Sequence, residues 1–175
     1  MSRPDPKIAR RLAAHPFLKG MSPHHIELLA LSAMPTEFDV DQVIFRAGEP
    51  ANGFYLIESG TVVLEGSLTD GEPLAIIRRG WRSFSKNTSV IDVVSAGEPL
   101  GWSWLFPPYL WQFNARATEP CTALCLSGIM LRQHRGDDLT LSHELFKRMS
   151  EVMVRRLQAA RRKLLAEKKP RESAK

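Results

Sequence analysis

Long hydrophobic runs, glycine-rich loops and cysteines are all scarce in this chain of 175 residues, and each scarcity excludes a class of protein. No stretch approaches the roughly 18 consecutive apolar residues of a membrane-spanning helix, and no apolar run behind the polar N-terminus resembles a secretory signal. We therefore expect a cytoplasmic protein without a transmembrane segment. No glycine-rich phosphate loop and no arrangement of nucleophile and base is present, so the sequence predicts no catalytic residue and no enzyme activity.

The two cysteines, Cys121 and Cys125, lie in one strand-like apolar stretch. Residues four apart along a strand are about 13 Å apart, whereas a disulfide needs Cα atoms within about 7 Å. They are predicted to be two buried thiols. The five histidines have no ligand spacing with them, so we expect no metal site and no cofactor.

Positive charge is concentrated at the C-terminal end. Residues 155–175 contain nine Lys or Arg and two Glu, a net charge of +7, whereas the whole chain carries +5, which leaves −2 for the rest. This basic end (Arg155–Lys175) is more than a helix C-terminus needs to offset its dipole. It predicts contact with an acidic protein partner or an anionic surface such as nucleic acid or membrane.

A first helix is predicted from Ser22 as the N-cap and Pro23 as the first helical residue. An apolar stripe follows, and Pro35 is expected to end the helix. The stripe consists of Ile26, Leu29, Ala30 and Ala33.

Short apolar runs separated by Gly, Pro, Asn and Asp fill the middle of the chain and predict an all-β roll or sandwich. The predicted strands are Val43–Phe45, Phe54–Ile57, Thr61–Leu64, Leu74–Ile77, Val90–Val94 and Ala123–Leu126. Two turns, Ala47–Pro50 and Ala96–Pro99, share the sequence Ala-Gly-Glu-Pro, which predicts one hairpin geometry used twice. The polar stretch 78–89 is predicted to be an exposed loop.

A long helix of about 30 residues is predicted to begin near Asp137 and Asp138, where carboxylates favour a helix N-terminus, and to end before Pro170. Its apolar residues recur at spacings of three and four, which predicts a seam that pairs with a twin helix in a homodimer. The seam consists of Phe146, Met149, Met153, Leu157, Ala160 and Leu164. The expected organisation is a helical segment over 1–35, a β-roll over 36–128, helices over 129–169 and a disordered tail over 170–175.

Three segments in this order resemble the cyclic-nucleotide-binding domain of the catabolite activator protein (Crp/Fnr) family: His15–Leu18 leading to Ser22-Pro23, Val43–Pro50 and Phe54–Val62. The resemblance covers about residues 12–165. It implies a double-stranded β-helix (a jelly-roll β-roll) with a long C-terminal helix that packs against its twin. The family's transcription factors carry a helix-turn-helix after that helix. Only five residues follow Pro170 here, so we expect no sequence-specific DNA binding.

The family's nucleotide site follows a glycine turn that corresponds to Gly101. A glutamate after the glycine accepts from the ribose hydroxyl, and an arginine about ten residues later holds the phosphate through its planar fork. Here Trp102 stands in the glutamate position, and Trp111 or Gln112 stands in the arginine position. Cyclic AMP and cyclic GMP are therefore expected to bind poorly. Arg116 is the nearest arginine, and the predicted ligand pocket comprises Gly101, Trp102, Ser103, Trp111, Gln112 and Arg116.

The segment 102–113 holds three Trp, two Phe, one Tyr and two Pro. Its rings are expected to fill the emptied pocket, to form a cage for a less anionic ligand, or to dock a partner. The sequence leaves two functions open. One is a non-catalytic regulatory module that senses a small molecule or relays a signal through its C-terminal helix, and the other is a ligand-free dimeric adaptor.

Overall fold

The computed structural model describes residues 4–67, 88–133 and 138–167. Its strands, in chain order, are β1 Ala33–Phe38, β2 Val43–Phe45, β3 Gly53–Ser59, β4 Thr61–Ser67, β5 Thr88–Ser95, β6 Pro99–Leu100, β7 Asn114–Ala117 and β8 Cys121–Ser127. Its helices are α1 Pro6–Ala14, α2 Pro23–Ala30, α3 Gly128–Gln133 and α4 Leu139–Glu167, with 3₁₀ turns at Pro16–Leu18 and Ser103–Leu105. None of the helices within these ranges is both long and apolar enough to cross a membrane.

The strands form two four-stranded antiparallel sheets in the orders β1-β8-β3-β6 and β2-β7-β4-β5. This arrangement confirms the predicted jelly-roll class. The chain divides into two compact units, Met1–His134 with both sheets and Arg135–Lys175 with the long helix.

Five of the predicted strands lie within β2, β3, β4, β5 and β8, and Leu74–Ile77 lies outside the described residues. The predicted end of the first helix at Pro35 is wrong. Helix α2 ends at Ala30, and Pro35 lies within β1, an edge strand where a missing N–H is tolerated. The predicted loop 78–89 also extends too far, because Thr88 and Ser89 belong to β5.

The two Ala-Gly-Glu-Pro turns do share one geometry. The Glu49 N–H donates to the Arg46 carbonyl at 3.2 Å and the Glu98 N–H donates to the Ser95 carbonyl at 3.1 Å, so each four-residue turn has glycine at its third position. Gly48 and Gly97 there have φ of +85° and +86°, a conformation that favours glycine. In each turn the glutamate carboxylate accepts from the backbone N–H three residues earlier, at 3.1 Å from Arg46 to Glu49 and 2.8 Å from Ser95 to Glu98. The repeated tetrapeptide therefore encodes a repeated turn.

Both predicted helix starts are confirmed. The hydroxyl of Ser22 accepts from the His25 N–H at 3.2 Å, and Pro23 is the first residue of α2. The carboxylate of Asp138 accepts from the N–H groups of Thr140 and Leu141, each at 2.9 Å. Asp137 lies outside the described residues. Helix α4 is described over 29 residues, Leu139–Glu167. Its predicted end before Pro170 and the predicted disordered tail 170–175 lie outside the described residues.

Candidate functional site

The interior between the two sheets is filled by aromatic rings. Phe38 of β1 and Tyr55 of β3 meet edge to face, with ring centroids 6.0 Å apart. Tyr55 in turn stacks on Phe45 of β2 at 6.1 Å. Phe45 stacks closely on Trp111, with centroids 3.8 Å apart and planes only 11° from parallel. We call these four residues the aromatic stack; it joins the two sheets to the segment 102–113.

Trp111 is held in the stack by the backbone of the first Ala-Gly-Glu-Pro turn. The Trp111 N–H donates to the Glu49 carbonyl at 2.9 Å, and the Gly48 N–H donates to the Trp111 carbonyl at 2.8 Å. The Ala51 N–H donates to the Tyr109 carbonyl at 2.7 Å. Residues 109–111 are therefore paired with residues 48–51, which fixes where the indole enters the roll.

The indole of Trp111 lies directly over Gly101. A Cβ at Gly101 would lie 2.7 Å from an indole ring carbon of Trp111, and Gly101 has a φ of +85°. Both observations require glycine at this position. The glycine and the tryptophan predicted to be pocket residues are thus brought together, and Trp111, 5% exposed, fills the space between Gly101 and Phe45.

The remaining aromatic residues of the segment divide between core and surface. Trp104 is 1% exposed and packs against Phe54, with ring centroids 5.6 Å apart, and its Nε1 has no hydrogen-bond partner among the described residues. Trp102, Tyr109 and Phe113 are half-buried, and Phe106 is 43% exposed. Trp104 and Trp111 therefore belong to the core, whereas Phe106 contributes to the surface.

Arg116 lies on the other side of its sheet. In β7, Ala115 and Ala117 are fully buried, and Arg116 points the opposite way between them. Its guanidinium pairs with Asp41 at 2.7 Å and with Glu65 of β4, and the Glu65 bond is the main cause of its raised pKa. The arginine predicted for the pocket is thus directed away from Gly101 and Trp111 and neutralised by two carboxylates.

The other predicted pocket residues are spread out. Ser103 is buried in the 3₁₀ turn that follows Trp102. Gln112 is exposed, and its side-chain amide donates to the Leu110 carbonyl at 3.2 Å. The structure therefore gathers Gly101 and Trp111 around the roll interior and leaves Gln112 and Arg116 outside.

Two uncharged polar groups, the Tyr55 hydroxyl within the stack and the Cys125 thiol beside it, bond to each other. Tyr55 and Cys125 are register partners on β3 and β8, and both are half-buried. Burial is the main cause of a raised pKa in both, so the phenol and the thiol stay uncharged near neutral pH.

Both cysteines are free thiols, but only Cys121 is buried, so the prediction of two buried thiols is correct for that one alone. No cluster of potential metal ligands occurs within the described ranges.

The residues of the predicted dimer seam on α4 differ in their exposure to solvent. Met149 is 1% exposed and belongs to a buried stripe with Leu141, Leu145 and Val152. Phe146 and Leu157 are 50% and 71% exposed, Met153 is half-buried and Ala160 is exposed. The side chain of Leu164 lies outside the described residues. The dimer stays a prediction, with Met149 outside the exposed part of the seam.

Residues 35–134 match the family model of the cyclic nucleotide-binding domain, which is more than half of the chain. The chain belongs to the cyclic nucleotide-binding domain family. The resemblance stated from the sequence is confirmed. In this member of the family the indole of Trp111 fills the interior beside Gly101.

The chain is similar to one curated protein and to several solved structures. It is 40% identical over 100 residues to the acetyltransferase Pat of Mycolicibacterium smegmatis, a match that covers 54% of this chain and 30% of that protein. A cyclic nucleotide-binding domain from Methylobacillus flagellatus superimposes with a TM-score of 0.74 at 16% identity, covering 98% of this chain and 90% of that one. The sensor domain of the transcriptional regulator DNR from Pseudomonas aeruginosa gives 0.59 at 19% identity, covering 82% and 91%.

Proposed function

We propose that this chain is a non-catalytic regulatory module in which the aromatic stack takes the place of a cyclic nucleotide. The observation that carries the proposal is the position of Trp111, stacked at 3.8 Å on Phe45 and directly over Gly101. No Arg or Lys occurs between Gly101 and Ala115, and Arg116 is paired with Asp41 and Glu65 on the outer face of its sheet.

Two costs oppose nucleotide binding in this arrangement. A ligand would first have to displace Trp111, and each aromatic pair contributes about 0.5–1.5 kcal/mol beyond its buried area. The buried phosphate would then lack a paired cation. Loss of one buried charge-assisted contact costs about 2–5 kcal/mol, which is roughly 30-fold to several thousand-fold in affinity.

Calorimetry with cyclic AMP and cyclic GMP tests the proposal. We expect dissociation constants well above the micromolar range for the unmodified protein. Trp111→Ala removes the indole alone and should remain a poor binder, because it supplies no cation. Trp111→Arg removes the indole and adds the planar cation, and should bind more tightly than Trp111→Ala.

Micromolar binding by the unmodified protein would overturn the proposal and restore an ordinary nucleotide sensor. Circular dichroism and thermal unfolding of each variant show whether it is folded before its affinity is compared. Equal, weak binding by Trp111→Arg and Trp111→Ala would contradict the argument that the missing cation limits affinity.

The regulatory output is proposed to pass through the long helix of a homodimer. Phe146 and Leu157 expose about half or more of their surface on one side of α4. Arg155 and Arg162 lie on roughly the opposite side of the helix, by the 100° rotation per residue, and both are exposed. Pairing through the apolar side would leave the basic side accessible to an acidic partner, as a dimeric adaptor requires.

Sensing of a small neutral molecule is the second candidate. The half-buried Tyr55 and Cys125 favour it, because their hydroxyl and thiol are uncharged and bond to each other, so a neutral ligand could share their hydrogen bonds without burying a charge. Native mass spectrometry of protein purified from its own host separates the candidates. A bound molecule that leaves on denaturation supports sensing, and an empty protein supports the ligand-free adaptor.

The acetyltransferase activity of Pat belongs to a protein of which this chain matches 30%. We propose that the present chain is not itself an acetyltransferase. Incubation with acetyl-coenzyme A and a lysine-containing protein substrate should give no acetylation above the uncatalysed rate.

A further inference from the structure

Arg132 of α3 contacts three residues in two segments that are distant from it in sequence. Its Nη1 donates to the Ala51 carbonyl at 3.2 Å and to the Trp104 carbonyl at 3.3 Å. The same guanidinium lies over the Tyr109 ring, with Cζ 4.6 Å from the ring centroid. One side chain of α3 therefore holds both ends of the segment 104–109 and the loop that precedes β3.

Ala51 connects these contacts. Its peptide N–H donates to the Tyr109 carbonyl at 2.7 Å, while its own carbonyl accepts from Arg132. Ala51 is fully buried, so a carbonyl released by Arg132 would have little access to water. The start of α3 is tied to the same loop, because the Gly128 N–H donates to the Asn52 carbonyl at 2.8 Å.

The packing around Gly128 and Tyr109 restricts independent movement of α3 and of the segment 102–113. A Cβ at Gly128 would lie 2.9 Å from Cβ of Trp104 and 3.3 Å from the Ala51 carbonyl oxygen. Tyr109 has a φ of +58°, a conformation that non-glycine residues adopt only where their surroundings hold them. The guanidinium over its ring is one such constraint.

We propose that Arg132 is a latch that couples the aromatic segment 102–113 to α3, the helix that precedes α4 in the chain. The segment cannot leave the roll without breaking the Trp104 and Tyr109 contacts of Arg132, and α3 cannot move without releasing the same contacts. Arg132 is thus a positioning residue for the relay, and the inference rests on the proposed regulatory function. Coupling of this kind is reciprocal and is measured by a double-mutant cycle.

Amide hydrogen exchange measures how readily the backbone opens at Ala51 and in α3, the two regions that Arg132 connects. Trp111→Leu loosens the segment by removing the stack on Phe45, and Arg132→Met removes the donors while keeping an apolar stem. With Arg132 present, Trp111→Leu should raise exchange about tenfold or more at the Ala51 amide and also at Gly128 and the amides of residues 131–133. In the Arg132→Met background, Trp111→Leu should still affect Ala51 but change the α3 amides by less than about twofold.

An equal effect of Trp111→Leu on α3 with and without Arg132 would overturn the latch. Arg11→Met is the matched control, since Arg11 pairs with Glu58 away from the segment, and it should leave the coupling intact. If Arg132→Met does not fold, Tyr109→Leu provides the second variant, because it removes the ring beneath the guanidinium and leaves both carbonyl bonds available. It should reduce the coupling, and unchanged coupling in this variant would contradict the inference.

A conservative substitution of Arg132 distinguishes a coupling role from a purely structural one. Arg132→Lys keeps the charge and a donor but loses the planar fork, so it should restore part of the coupling that Arg132→Met removes. Restored thermal stability without restored coupling would contradict the latch. Nucleotide binding by the unmodified protein would refute the proposed function and leave this cycle unaffected, so the two failures can be distinguished.

Discussion

His15 connects the N-terminal helices to the β-roll through one buried ring. The residue is 3% exposed, and its Nε2 donates to the Ile57 carbonyl of β3 at 3.0 Å. Its Nδ1 accepts from the Phe17 N–H at 3.3 Å, so the neutral ring carries its proton on Nε2. The charged group that acts on the ring is Glu58, which pairs with Arg11.

We predict that protonation of His15 destabilises the fold in mild acid. Burial is the main cause of a lowered pKa for His15, only partly opposed by the bond to Ile57 and by Glu58. Above about pH 6.5 the ring is neutral in both states and its contacts are intact. As the pH falls below that value the unfolded chain takes up a proton first, so the free energy of unfolding decreases by up to about 1.4 kcal/mol per pH unit.

Denaturant unfolding at pH 7.5 and pH 5.5 measures this effect. His15→Gln keeps a side-chain donor and removes the titration, so its stability should change less between the two pH values than that of the unmodified protein. His24→Asn, at an exposed position of α2, should keep the full pH dependence. An undiminished pH dependence in His15→Gln would rule out the buried ring as its source.

At the scale of single elements, local chemistry accounts for most of what the chain forms. The two Ala-Gly-Glu-Pro turns adopt one geometry because glycine allows a positive φ and the glutamate carboxylate accepts from the backbone N–H three residues earlier. Helix α4 begins at Leu139 for a similarly local reason, since the Asp138 carboxylate accepts from the backbone N–H groups of Thr140 and Leu141 in the first turn.

Removal of that cap should destabilise α4. Asp138→Ala is expected to cost about 1 kcal/mol of unfolding free energy, within the range of about 0.5–2 kcal/mol measured for N-cap losses. Asp138→Ser retains an acceptor at the cap and should cost only a few tenths of a kcal/mol. Thermal unfolding combined with hydrogen exchange of α4 checks both values, and equal losses in the two variants would show that the cap contributes little.

At the scale of the whole molecule, the exposed side of α4 determines the expected assembly. We predict a homodimer of about twice 19.7 kDa at low micromolar concentration, because an apolar helix face of this length has to be covered. Leu157→Glu should give a monomer, since a charge on this side opposes pairing. Leu157 is 71% exposed within the chain, so the substitution should leave the fold of the monomer intact.

Light scattering at several concentrations measures the mass. The neighbouring Gln158→Glu adds the same charge away from the apolar side and should remain dimeric. Met149→Ala tests whether the buried residue of the predicted seam takes part in pairing. Met149 is 1% exposed, so its substitution should lower the stability of the chain more than it weakens dimerisation. A monomeric unmodified protein, or a dimeric Leu157→Glu, would contradict the prediction.

Much of the fold followed from the sequence because its signals are local. Strand texture, turn tetrapeptides, helix caps and the start of α4 depend on residues close together in the chain, and the structure places them nearly where expected. The edge strand β1 was missed because Pro35 is typical of a break, and its tolerance depends on lying at the edge of a sheet, which is a tertiary property.

The site depended on contacts between distant segments. The resemblance to the family implies that Trp102 stands in the glutamate position and that Trp111 or Gln112 stands in the arginine position. Poor binding of cyclic nucleotides stays a prediction from these positions. Only the tertiary structure showed that Trp111 stacks on Phe45 and that Arg132 holds the segment, because each contact joins residues from separate strands or helices. The strand register likewise decides on which side of the sheet Arg116 lies, because a shift of one residue would move every side chain of the strand to the opposite face.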